Sequence, residues 1–122
     1  MPNLLFVMIG GAVGAGLRYE AGRLAARQLG TGFPWGTLAV NLIGALLIGL
    51  LAGAIAPDPE KPLWLLLAVG VLGGFTTFSA FGLELFTMVG RGQAAMAGLY
   101  ASASVLGSLA LVAIAYALTR AA

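Results

Sequence analysis

The 122-residue chain is 61% hydrophobic and only 8% charged; it has no Cys and no His, and six basic against four acidic residues leave a net charge of +2. So few charges cannot coat a soluble domain of this size, and the chain reads as a single all-α membrane domain over residues 1–122 with four spans of roughly 20 residues each. The missing thiols and imidazoles exclude disulfides, thiolate metal sites, thiol redox work and imidazole catalysis, and the scattered charge gives nucleic acid nothing to hold.

The first span is expected over residues 4–27. Its apolar start lacks a basic lead-in and reads as a mature span rather than a cleaved signal. Gly10, Gly14, Arg18 and Gly22 recur every fourth residue and share one helix face, a spacing that lets a neighbouring backbone come close. Arg18 stands out, because an arginine in or near hydrocarbon must snorkel or find a partner. Gly30-Thr31-Gly32-Phe33-Pro34 makes the turn, and Trp35 suits an interfacial anchor.

The second span, residues 35–56, holds no charge; its polar side chains are Thr37 and Asn41, one helical turn apart. An unpaired amide in lipid is expensive, so Asn41 serves either a helix–helix hydrogen bond or a polar lining. Pro57-Asp58-Pro59-Glu60-Lys61-Pro62 cannot continue a helix and forms a loop.

The third span, residues 63–89, carries Gly73-Gly74-Phe75-Thr76-Thr77-Phe78-Ser79-Ala80-Phe81 in its middle. Paired glycines followed by paired β-branched residues are poor helix formers, so the span is expected to break there, mid-membrane. Freed backbone groups are tolerated in lipid only where they face protein, water or an ion. Unwound carbonyls near Gly73 would suit a monovalent cation, and two breaks meeting at a two-fold axis would close a ring of them. Glu84 is the one charge of this span, and an Arg18–Glu84 ion pair, within or between subunits, is one expectation.

The fourth span, residues 93–118, follows the Gly90-Arg91-Gly92 turn and places Tyr100, Ser104 and Ser108 in register along one face. These hydroxyls are either ordinary packing or a polar lining. Arg23, Arg27 and Arg91 lie on one side of the membrane in this reading, with Arg18 close by, against Lys61 and Arg120 on the other. That imbalance is small enough to permit insertion in both directions.

No catalytic constellation is present, so an enzyme is not expected. What remains is a set of neutral donors in hydrocarbon: Thr37, Asn41, Thr76, Thr77, Ser79, Tyr100, Ser104 and Ser108. Such donors can replace the water shell of a small anion, and Phe78 and Phe81 can offer it their positive ring edges. The central spans hold no Lys or Arg to trap the ion, and conduction needs sites that also release it.

Three motifs in order, covering essentially the whole chain, resemble the Fluc (CrcB-type) family of fluoride channels. They are Gly10-Gly11-Ala12-Val13-Gly14-Ala15-Gly16-Leu17-Arg18-Tyr19, Gly36-Thr37-Leu38-Ala39-Val40-Asn41-Leu42-Ile43-Gly44, and the nine residues from Gly73 to Phe81. The resemblance implies an antiparallel, dual-topology homodimer in the cell inner membrane, with two separate pores for passive, selective fluoride export. It implies that Asn41 lies along the pore with Thr37 a turn away. Phe78 and Phe81 would come from different subunits, Ser79 would lie beside them, and Tyr100, Ser104 and Ser108 would form the fourth-helix track. It further implies a structural sodium ion at the dimer interface on the backbone carbonyls of Gly73 and Thr76, and puts Arg18 and Glu84 at characteristic charged positions. Ala80 departs from the pattern, standing where many members carry threonine, which leaves Ser79 as the nearby hydroxyl.

Two alternatives stand beside this reading. A small multidrug-resistance-type proton-coupled exporter needs a membrane carboxylate in its first helix, where this chain has Arg18 and, toward the interface, Glu20. A non-conducting assembly subunit explains the glycine stripes but not the hydroxyl track.

Overall fold

In the computed structural model, which describes residues 2–121, four long apolar helices capable of crossing a membrane account for nearly the whole chain. They are α1 (Pro2–Leu29), α2 (Trp35–Ala54), a third span divided into α3 (residues 62–75) and α4 (Ser79–Gly90), and α5 (Ala94–Ala121). The connections are short and chemically determined. Gly30 (φ 81°) closes α1, its N–H reaching the Ala26 carbonyl at 3.0 Å. Gly92 (φ 78°) closes α4, where the Gln93 N–H returns to the Met88 carbonyl at 2.9 Å and the Gly92 N–H to Val89 at 3.1 Å. Both turns need a left-handed residue, which glycine adopts without a Cβ penalty. Between α2 and α3, Ile55 is extended, the Asp58 side chain accepts the Glu60 N–H at 2.9 Å, and Pro62 opens α3 at a position that needs no amide hydrogen.

α2 lies along α5, and α1 lies along α3. Glycines set both approaches. A Cβ on Gly49 would sit 2.7 Å from the Val112 carbonyl of α5, and one on Gly14 would overlap the Val71 carbonyl of α3. Backbone therefore meets backbone along these seams, which is how helices gain van der Waals contact in lipid, where apolar burial offers no drive. Of the expected glycine face on α1, Gly10 and Gly14 pack on α3, while Gly22 meets α2, its Cα 2.8 Å from where Gly36 would carry a Cβ.

The third span differs from expectation in two ways. Residues Leu65–Leu72 are wound as a π-helix, a wider form that is rare and short in most proteins. Gly73-Gly74, expected to unwind, stay helical, with Gly73 at φ −62° and ψ −38°. Their small size serves packing instead: a Cβ on Gly74 would lie 2.5 Å from the Gly11 carbonyl. The chain leaves helical geometry three residues later, at Thr76 (φ −91°, ψ 161°), and helix resumes at Ser79. Close contact with α1 outweighs the weak helix propensity of glycine.

Candidate functional site

Residues 74–77 are held by side chains from two other helices. The Thr76 N–H makes the last regular bond of α3, to the Leu72 carbonyl at 3.1 Å, and the Thr76 hydroxyl donates to the same oxygen at 2.9 Å. A continuing helix would aim the Thr77 N–H at Gly73. Instead it donates to Asn41 Oδ1 at 2.8 Å, and Asn41 Nδ2 donates to the Thr77 carbonyl at 3.0 Å. One amide side chain thus stands in for a backbone partner on both sides of one residue. From α1, the Arg18 Nε–H donates to the Gly74 carbonyl at 3.0 Å. α4 then begins with the Ala80 N–H donating to the Thr77 hydroxyl at 3.2 Å, and that hydroxyl lies 3.4 Å from Ser79 Oγ.

A second cluster sits one turn along α4. Glu84 accepts the Thr37 hydroxyl on Oε2 and the Tyr100 hydroxyl on Oε1, each at 2.7 Å. Tyr100 is fully buried, and its ring meets Phe81 edge-on at 5.1 Å and Phe33 edge-on at 5.3 Å. The expected Arg18–Glu84 pair does not form within the chain. Arg18 is spent on a carbonyl, and each Glu84 oxygen has a hydroxyl partner. The one ion pair among the described residues is Arg23–Glu20, exposed at the end of α1.

Beside these clusters runs an open groove of about 590 Å³, whose walls include Asn41, Gly73, Thr76, Thr77, Phe78, Phe81, Ser104 and Ser108 among apolar side chains of α2, α3 and α5. Ser104 is buried and its Oγ has no hydrogen-bond partner, which is costly in an apolar setting unless something else takes the proton. Phe81 is buried, whereas Phe78, whose ring centre lies 5.9 Å away, is 81% exposed at the groove edge. Tyr100 and Thr37 stand outside this groove with Glu84, and Ser79 is exposed rather than lining it. Apart from Ser79, the residues singled out in the sequence therefore divide into three places: the groove, the Glu84 cluster and the Arg18 contact. Sequence reasoning missed the pairing of Asn41 with the Thr77 backbone and the ring of Phe33 on Tyr100. Only the first left a trace, an amide in a charge-free span.

The model of the CrcB-like protein, Camphor Resistance (CrcB) family matches residues 5–116. The chain belongs to the CrcB family. Family relatives include a protein named fluoride-specific ion channel FluC from Hyphomonas neptunium, 53% identical over 109 residues that cover 87% of this chain and 86% of the relative. A FluC from Sphingopyxis alaskensis is 49% identical over 111 residues, 89% of this chain and 88% of its own length. A FluC from Rhizobium johnstonii is 48% identical over 123 residues, 99% of this chain and 98% of its own length.

Proposed function

We infer that the chain forms a fluoride-specific channel of the membrane, passing the ion down its gradient, and is not an enzyme. The observation that carries this is identity near one half, over almost the full length, to proteins named for that activity. The chemistry of the groove supports it. Small anions need donors that replace water, and Ser104 offers a buried hydroxyl with no partner, with Ser108, Thr77 and Asn41 along the same walls. Asn41 spends one amide hydrogen on Thr77 and keeps a second, while Phe78 and Phe81 can turn ring edges toward the ion. No Lys or Arg lines the groove, so the ion is solvated without being trapped.

The working unit in this proposal is an antiparallel homodimer in the cell's inner membrane, with the non-helical residues 76–78 at mid-membrane. An exposed Phe78 and a groove open on one side support it, since a second copy would supply the missing wall. The carbonyls of Gly73 and Thr76 also fit a sodium ion. Gly73 loses its helical donor to Asn41, both residues line the groove, and two oxygens from each of two copies would make a four-oxygen site. Bound there, the ion would supply positive charge and tie the two copies together. Thr37, Glu84 and Tyr100 would continue the polar route, with Ser79 at its edge and Arg18 drawing anions toward the entrance.

Purified protein in liposomes tests the reading. Fast, electrogenic fluoride efflux, with little chloride efflux and no dependence on a proton gradient, is expected. Proton-coupled export of organic cations, or a well-folded protein that passes no fluoride, would overturn it.

A further inference from the structure

The contacts around residues 74–77 carry a role for two side chains that is separate from touching the ion. A helix that stops inside an apolar medium leaves its last carbonyls without partners, which is costly where no water can reach them. Here two of the exposed backbone positions are closed by side chains from α1 and α2: Gly74 by Arg18, and Thr77, through both its N–H and its C=O, by Asn41. The neighbouring Gly73 and Thr76 line the groove. We propose that Asn41 and Arg18 are positioning residues that clamp the end of α3 and the non-helical segment by their backbone, tying Gly74 to α1 and Thr77 to α2 and so fixing how Gly73 and Thr76 meet the groove.

The clamp explains where the helix stops better than local propensity does. Gly73-Gly74 remain helical, and the departure begins just where the side-chain partners take over. It also separates two functions within Arg18. The atom that holds Gly74 is Nε, while the charge resides on the whole guanidinium. Gln places its Nε2 donor the same number of bonds from Cα as Arg places Nε; Lys puts a methylene there instead. Arg18→Gln therefore keeps the clamp and discards the charge, and Arg18→Lys does the reverse. In the same way Asn41→Asp keeps the acceptor for the Thr77 N–H, and Asn41→Ala removes both contacts.

The proposal rests on the channel reading only in what the clamped segment is for. Its test is independent of conduction: amide hydrogen exchange over residues 74–80, measured on the full-length protein in liposomes in fluoride-free chloride buffer. Arg18→Lys and Asn41→Ala are expected to exchange at least tenfold faster at Thr76 and Thr77 than the unaltered protein. Arg18→Gln should stay within about threefold of it, and Asn41→Asp should keep Thr77 protected. Unchanged exchange in Arg18→Lys and Asn41→Ala would overturn the clamp, as would protection that follows charge, kept by Lys and lost by Gln. Should Asn41→Ala fail to assemble, the Arg18 pair alone decides, since both variants retain a long polar side chain. Fluoride efflux from matching liposomes loaded with fluoride, silent in all proteins including the unaltered one, would refute the channel reading and leave the clamp standing.

Discussion

Glu84 receives two hydroxyls from two helices, Thr37 of α2 and Tyr100 of α5, and this makes it the point where three elements are tied by polar atoms. A net hydrogen bond is worth about 1 kcal/mol, and leaving one buried partner unsatisfied costs more. Tyr100→Phe keeps the edge-on ring contacts with Phe81 and Phe33 while deleting one donor. Fluoride efflux is expected to fall about five- to tenfold, with the protein still eluting as one species. Thr37→Val should do the same. Because both donors bond one carboxylate, the loss in the double variant should depart from the sum of the two in free energy, and strictly additive losses would count against a shared cluster. Ser104 is a different case, a buried hydroxyl with nothing to bond in the single chain. Ser104→Ala should therefore leave thermal stability unchanged or slightly raised while lowering fluoride efflux, a combination that packing alone does not produce.

Among the elements, the α1–α3 seam is the most demanding. A Cβ on Gly14 would overlap the Val71 carbonyl, a backbone atom that cannot swing aside, whereas one on Gly16 meets nothing within 4 Å. Gly14→Ala is expected to destabilise the fold by about 1–3 kcal/mol, the usual range for overpacking, and to lower the melting temperature in detergent. Gly16→Ala should melt with the unaltered protein. The sequence made the elements plain and their interior much less so. Four apolar runs separated by Gly30, the proline-rich loop and Gly92 state the helices outright, because length and turn chemistry suffice. Within the nine residues expected to hold the break, helical geometry ends at Thr76 rather than at Gly73-Gly74, because those glycines are held helical against α1. The π-winding of residues 65–72 has no counterpart in the apolar pattern, since LLLAVGVL suits either helix. Arg18 was recognised as needing a partner, and within the chain that partner is the Gly74 carbonyl rather than Glu84. A charge invites an opposite charge in a one-dimensional reading, while the folded chain offers it a carbonyl first.

At the scale of the whole molecule, the charges leave orientation almost undecided, with Arg23, Arg27 and Arg91 set against Lys61 and Arg120. Positive residues in short loops bias insertion, so a few substitutions should lock it. A version with Arg23 and Arg27 changed to Gln and two lysines added beside Lys61 is expected to show one fixed orientation by end-tag accessibility. Alone it should conduct weakly, and co-expression with a version biased the other way should restore efflux. Full efflux from either locked version by itself would rule out antiparallel pairing. The backbone ties of residues 74–77 also bear on how the chain is made. Their partners, at positions 18 and 41, leave the ribosome before the segment they hold. The third span thus enters a bilayer where its anchors already wait, and a permuted gene that translated residues 62–90 first would ask that span to insert with its loose backbone facing acyl chains.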